Sequence, residues 1–152
     1  MIKKTQNFRG FTLIELLVVI SIIGIILSLA FVAFQETKKS ARDTQRKADL
    51  EDIRSSLEVY KADCGDYHTA NSDNKVPSPL TGDGSPSACS ASNIYMFSVP
   101  NDPSSGRQYY YGPATNQSSY ELCASLENIP GGNLPTCGGS CGETCNYKVT
   151  NP

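Results

Sequence analysis

Arg9-Gly10-Phe11-Thr12-Leu13-Ile14-Glu15-Leu16-Leu17-Val18-Val19-Ile20 opens a run that continues to Phe34; 19 of its 24 residues from Phe11 on are apolar, and Glu15 is the one charge. At about 1.5 Å per helical residue such a run extends roughly 36 Å, against a bilayer hydrocarbon core of about 30 Å. The run therefore reads as a transmembrane helix or a secretory signal. Met1 to Gly10 precedes it with Lys3, Lys4 and Arg9. A basic leader stays on the cytoplasmic side, so the chain after the helix crosses the membrane. A conventional cleaved signal has a shorter apolar core followed by small residues. Here Gln35-Glu36-Thr37-Lys38-Lys39 comes next instead. Glu15 lies five positions into the apolar run, and a charge at a membrane-helix centre costs about 2.5–3.5 kcal/mol on insertion scales. The cost falls near the helix start, where the dipole favours an anion. Such a carboxylate is a functional candidate with a partner to be found.

Outward from this run the chain is lopsided. It has 152 residues, 39% apolar and 18% charged, with a net charge of -2. All nine prolines follow residue 76, all six cysteines follow residue 63, and ten of the twelve glycines follow residue 64. That distribution excludes a uniform soluble globule. The absence of net basic charge argues against nucleic-acid binding, and the length excludes a large multidomain enzyme.

The stretch from Arg9 to Ile20 resembles the class III signal of type IV pilins and type II secretion pseudopilins, with similarity across residues 8 to 34. The resemblance implies cleavage between Gly10 and Phe11 by a prepilin peptidase, followed by N-methylation of Phe11. It implies that the apolar helix stays in the mature protein. Cleavage would free the Phe11 amine, and an α-amine is cationic below about pH 8. Phe11 and Glu15 are four apart and share a helix face. In this family the carboxylate is thought to neutralise the amine of a neighbouring subunit, so Glu15 is expected to set filament register. The competing reading is that Glu15 merely caps its own helix or snorkels to the membrane interface. Ser21, Gly24 and Ser28 place small residues every three or four positions, which permits close helix approach.

Gln35 to Asp63 contains no Gly or Pro. Leu50, Ile53, Leu57 and Tyr60 recur at helical spacing, with Cys64 next, and this stripe should pack on the C-terminal part of the chain. Asp43 with Lys47, Glu51 with Arg54 and Glu58 with Lys61 fall at i,i+3 or i,i+4 and read as a solvated helix face. One helix from Thr12 to Ala62 is expected, stopped at Cys64-Gly65.

Residues 64 to 152 differ in composition. Asn71 to Ser92 is rich in Ser, Pro, Gly, Asn and Asp and reads as a long loop. Arg107 to Tyr111 and Ser119 to Glu127 are strand-like, with Gly112 to Gln117 as the turn between them, and predict an antiparallel hairpin. Asn146 to Thr150 is a further short strand. Asp63-Cys64-Gly65-Asp66-Tyr67 looks like the Asp-x-Gly-x-Tyr turn that ends the long helix in many pilins and pseudopilins. The calcium loop of major secretion pseudopilins has no clear match in the tail. Only nine Val, Ile and Leu residues occur after Cys64, and so lean a domain needs staples. Cys64, Cys89, Cys123, Cys137, Cys141 and Cys145, on the translocated side, read as disulfides. Cys64 is expected to pair with Cys89 and the other four among themselves. Zinc held by Cys137, Cys141 and Cys145, with a fourth thiolate or His68, is the alternative. His68 is expected to be exposed, and Asp63, Asp66, Asp73 and Asp83 to be ordinary loop acids.

The expected fold is α+β and type IV pilin-like: a long N-terminal α-helix, transmembrane then amphipathic, packed on a small antiparallel β-sheet head. The expected divisions are 1–10 leader, 11–34 transmembrane and assembly helix, 35–63 extension and 64–152 disulfide-stapled head. The expected function is a structural subunit of a type IV pilus-like filament. The alternatives are a pseudopilin of type II secretion or a membrane-anchored binding module. No enzyme activity, cofactor, metal or nucleic acid is expected. The partners implied are a prepilin peptidase, identical or related pilin subunits and an inner-membrane assembly platform. The chain should be single-pass in the inner membrane with its head extracytoplasmic, then part of a cell-surface or periplasmic filament.

Overall fold

The computed structural model describes residues 10–128 and 135–151, leaving out the side chains of 29 and 32. Helix α1 covers Leu13–Cys64. Five short strands follow: β1 Leu80–Thr81, β2 Ile94–Met96, β3 Tyr110–Pro113, β4 Tyr120–Ala124 and β5 Tyr147–Thr150. The chain divides into two compact units, Met1–Lys38 and Lys39–Pro152. The architecture is a long N-terminal helix followed by small antiparallel sheets, the α+β arrangement expected from the sequence.

In the second unit the helix buries Leu50, Ile53, Leu57 and Tyr60. The spacing of three, four and three residues keeps them on one face. The helix ends where Gly65, at φ +91°, donates its amide to the Lys61 carbonyl at 2.8 Å. Glycine takes that left-handed conformation without a Cβ penalty.

The larger sheet has the order β3-β4-β5, antiparallel throughout, with Tyr111 opposite Leu122 and Leu122 opposite Val149. Alternation along the strands sorts the side chains onto two faces. Tyr109, Tyr111, Tyr120, Leu122, Ala124 and Val149 join the helix stripe in one core, with Tyr67, Val76 and Leu80. Tyr110 and Cys123 turn to the opposite face and meet Cys141 and Cys145 in a second cluster.

Several expectations are corrected. The stretch from Asn71 to Ser92 is not loop throughout, since Leu80–Thr81 pairs with Ile94–Met96; a two-residue strand is too short to show a period. Gly112 and Pro113 belong to β3 rather than to the turn. His68 is half-buried, its ring 5.4 Å from that of Tyr60. Asp43 pairs with Arg46, not Lys47, and is buried. Glu58 takes tyrosine hydroxyls rather than Lys61.

Candidate functional site

At the N-terminal end Gly10 and Phe11 precede the helix, and Phe11 is 90% exposed. The peptide bond between them is therefore outside any helical hydrogen-bond ladder and open to solvent. Thr12 stands at the N-cap. Its amide and hydroxyl donate to Glu15 Oε2 at 2.9 and 2.8 Å, and the Glu15 amide returns a bond to Thr12 Oγ1 at 3.3 Å. This reciprocal pair is a capping box, formed because a Thr and a Glu three residues apart can each satisfy an orphan amide of the first turn. In the single chain Glu15 thus caps its own helix.

From Leu13 to Phe34 the apolar side chains described on this helix are exposed on every face, Leu13 at 88% and Ile25 at 64% among them. Ser21 and Ser28 bond back to the carbonyls of Leu17 and Ile25, each at 2.7 Å, which leaves no unmet hydroxyl on that surface. A Cβ at Gly24 would meet nothing within 4 Å. This segment is long and apolar enough to cross a membrane. Its uncovered surface suits either lipid or other apolar helices, because both satisfy it without a polar partner.

The second unit carries a buried charge knot. Arg46 is fully buried, and its N–H groups reach Asp43, Asp102, Glu127 and Ser104. The five bonds match the five donors a guanidinium offers. Arg42 donates Nε to Glu127 Oε1 at 2.6 Å. Asp43 also accepts the amides of Glu127 and Asn128, both at 2.8 Å. The hydrogen bonds of Arg42 hold the Glu127 carboxyl well below its usual range, at about 2, with Arg46 assisting. For Arg46, burial opposes the charge, but the bonds it donates to Asp102, Glu127 and Asp43 outweigh it and raise its pKa. Sequence reasoning missed Arg46. A signal was present: Asp43 and Arg46 extend the 3-4 stripe of Leu50, Ile53, Leu57 and Tyr60 by two further steps.

The helix acids also serve the tyrosines. Tyr109 donates to Asp49 at 2.6 Å, Tyr67 and Tyr120 to Glu58 at 2.9 and 3.0 Å, and Tyr95 to Asp63 at 3.1 Å. Tyrosine supplies apolar area only if its hydroxyl keeps a partner. This is how a head short of aliphatic residues builds a core.

Disulfides join Cys64 to Cys89, Cys123 to Cys137 and Cys141 to Cys145. The zinc alternative loses its thiolates to these bonds. Gly139 lies flat against the Tyr110 ring, where a Cβ would overlap it. Asp83 accepts the Ser85 amide at 3.0 Å, and Asp66 is exposed.

Residues 5–31 match the family described as prokaryotic N-terminal methylation motif. Residues 33–133 match the family described as type II secretion system (T2SS), protein G. The type II secretion system core protein G of Pseudomonas aeruginosa is 32% identical over 108 residues, 70% of this chain and 75% of that protein. That of Escherichia coli is 36% identical over 69 residues, 45% of this chain and 48% of the relative. The type IV wide pilus major component PilA4 of Thermus thermophilus is 40% identical over 62 residues, 41% of this chain and 47% of the relative. This chain therefore spans about half the length of the last two. No solved structure matches the chain significantly.

Proposed function

Because the chain belongs to the type II secretion system protein G family of pilin-like structural subunits, we propose that it is cut between Gly10 and Phe11, N-methylated at Phe11 and polymerised through the helix starting at Leu13. Prepilin peptidase processing is implied by the methylation motif over residues 5–31. The single observation that supports polymerisation best is the apolar surface of α1, uncovered at the described side chains between Leu13 and Phe34 in a chain whose head has a core of its own. Residues 1–10 are then the leader, 11–34 the membrane and assembly segment, 35–63 the extension and 64–152 the head. The membrane holds the helix before assembly, with the head on the extracytoplasmic side. Neighbouring subunits replace lipid afterwards.

Glu15 has a part in both states. In the single chain Thr12 occupies its Oε2. In a filament the freed Phe11 amine of a neighbour offers a full positive charge instead. A charge-assisted bond is roughly twice as strong as a neutral one, and no water competes in the apolar core. Correct stagger is rewarded because any other leaves both charges buried and unmatched.

The filament is proposed to be of the secretion type, on the match over residues 33–133. A cell-surface pilus is the second reading, favoured by the similarity to a pilus major component. N-terminal mass spectrometry on the native host tests the core of the proposal. The expected mature chain starts at methylated Phe11, and retention of Met1 in a host with active prepilin peptidase would sink it. Long filaments sheared from cells would decide for the pilus. Glu15→Ala should be processed normally yet yield few filaments.

A further inference from the structure

We propose that Asn116 is an N-glycosylation acceptor, modified by transfer of a glycan from a polyprenyl-diphosphate-linked donor. This rests on the reading that the head is extracytoplasmic, where such donors are used. Asn116-Gln117-Ser118 is the only Asn-x-Ser/Thr triplet in the sequence, and its middle residue is not proline. That triplet is what an oligosaccharyltransferase reads: the asparagine supplies the nucleophile and the hydroxyl of the third residue is bound by the enzyme.

The fold puts the triplet at the tip of the β3–β4 hairpin. Thr115, Asn116 and Ser118 are exposed, and the buried surface resumes only at Tyr120. The loop backbone is held by hydrogen bonds of its own and to the helix end. Ala114 donates to the Ser119 carbonyl and Gln117 to the Ala114 carbonyl, both at 2.8 Å. The Tyr67 amide reaches the Gln117 carbonyl at 2.9 Å, and Lys61 Nζ reaches the Ser118 carbonyl at 3.1 Å. The two side chains the enzyme needs are thereby presented together: Ser118 Oγ donates to Asn116 Oδ1 at 2.8 Å. The Ser118 amide binds the same oxygen at 3.3 Å. Both bonds fall on Oδ1, and among the described residues no acceptor takes a hydrogen of Asn116 Nδ2. The nitrogen that must react thus keeps its hydrogens unengaged, on a residue that is itself exposed.

In the reaction Asn116 Nδ2 attacks the anomeric carbon of the donor sugar. The C–N bond forms as the bond from that carbon to the diphosphate oxygen breaks. The electron pair leaves on the polyprenyl diphosphate, and the amide proton passes to a base of the transferase. No oxidant or reductant is needed. The product carries its glycan on a tip that contributes nothing to either core cluster, so the head keeps its packing.

The test is mass spectrometry of the full chain purified from its native host, digested with trypsin after reduction. The peptide running from Gln108 to Lys148 should carry a glycan mass with sugar fragment ions. Asn116→Gln and Ser118→Ala should reduce occupancy to background, and Ser118→Thr should preserve it. A bare peptide from the native host, or a glycan that survives Asn116→Gln, overturns the proposal. The same digest reads the N-terminus. Methylated Phe11 with bare Asn116 removes the glycan alone, whereas retained Met1 with bare Asn116 removes the filament reading as well.

Discussion

Arg46 holds Asp102 through two parallel hydrogen bonds, Nε to Oδ2 at 2.8 Å and Nη2 to Oδ1 at 3.0 Å, with both side chains withdrawn from water. The partners are 56 residues apart in sequence, so the pair pins the loop before β3 to the helix. Removing Asp102 unmakes two of the five bonds of a buried guanidinium that keeps Asp43 and Glu127 as counter-charges, so the cost is about 3 kcal/mol, the low end for a broken buried pair. Asp102→Ala should destabilise the head by that amount in urea unfolding of the detergent-solubilised chain, followed by tyrosine fluorescence. Replacing Arg46 and its acids together by apolar residues of similar volume should cost far less. A loss below about 1 kcal/mol for Asp102→Ala, the scale of an exposed pair, would refute the buried-knot account.

Acid should unfold the head partly through Glu127. The Arg42 bonds favour its charged form and set its pKa at about 2, below the ordinary 4.5. Its contribution is complete above about pH 4.5, the unfolded value, and is lost as pH falls toward about 2. Glu127→Gln should lower stability at neutral pH and flatten the acid limb in that window. An acid limb of unchanged slope would show that Glu127 is not responsible.

The tyrosine core makes the opposite prediction in alkali. Burial, then the bond to Glu58, pushes the Tyr67 phenol up to about 12. Tyr109 and Tyr120 are raised for the same reasons, with Asp49 and Glu58 as acceptors. The fold favours neutral phenols, so stability is complete below about pH 10 and declines as pH rises toward 12. Tyrosinate absorbance should show a late-titrating class. Glu58→Gln should move Tyr67 and Tyr120 back toward 10, since the charge is gone while a hydrogen-bond acceptor remains.

The three disulfides should differ in worth. Their sequence separations are 25 for Cys64–Cys89, 14 for Cys123–Cys137 and 4 for Cys141–Cys145. Chain-entropy arithmetic gives about 3–4 kcal/mol for the longest loop and about 2 kcal/mol for the shortest. Paired Cys→Ala variants should lose thermal stability in that order. The reverse order would mean that local packing around Tyr110, rather than loop closure, sets the contribution.

Much of this architecture is legible in the sequence because it is local. The apolar run, Glu15 after Gly10, and the Leu50–Tyr60 stripe each lie within a few turns of one helix, where spacing alone fixes the face. The hairpin of β3 and β4 is visible for the same reason, with aromatic residues on both sides of a turn. The Leu80–Thr81 strand is not visible, since two residues carry no period. Sequence proximity assigns Glu58 to Lys61 wrongly, whereas its partners Tyr67 and Tyr120 arrive through the fold, Tyr120 from 62 positions away.

By itself the sequence determined that a greasy helix leads into a lean, cysteine-rich head, and that the helix stops at Gly65. Those properties follow from hydrophobic content, periodicity and backbone preference, which need no distant partner. Only the tertiary structure decided that Arg46 lies inside rather than in solvent, how Cys123, Cys137, Cys141 and Cys145 pair, and which acid receives each tyrosine. A buried charge is tolerable only where several acceptors converge on it, and here those acceptors come from residues up to 81 positions away. Such convergence is a property of the closed fold.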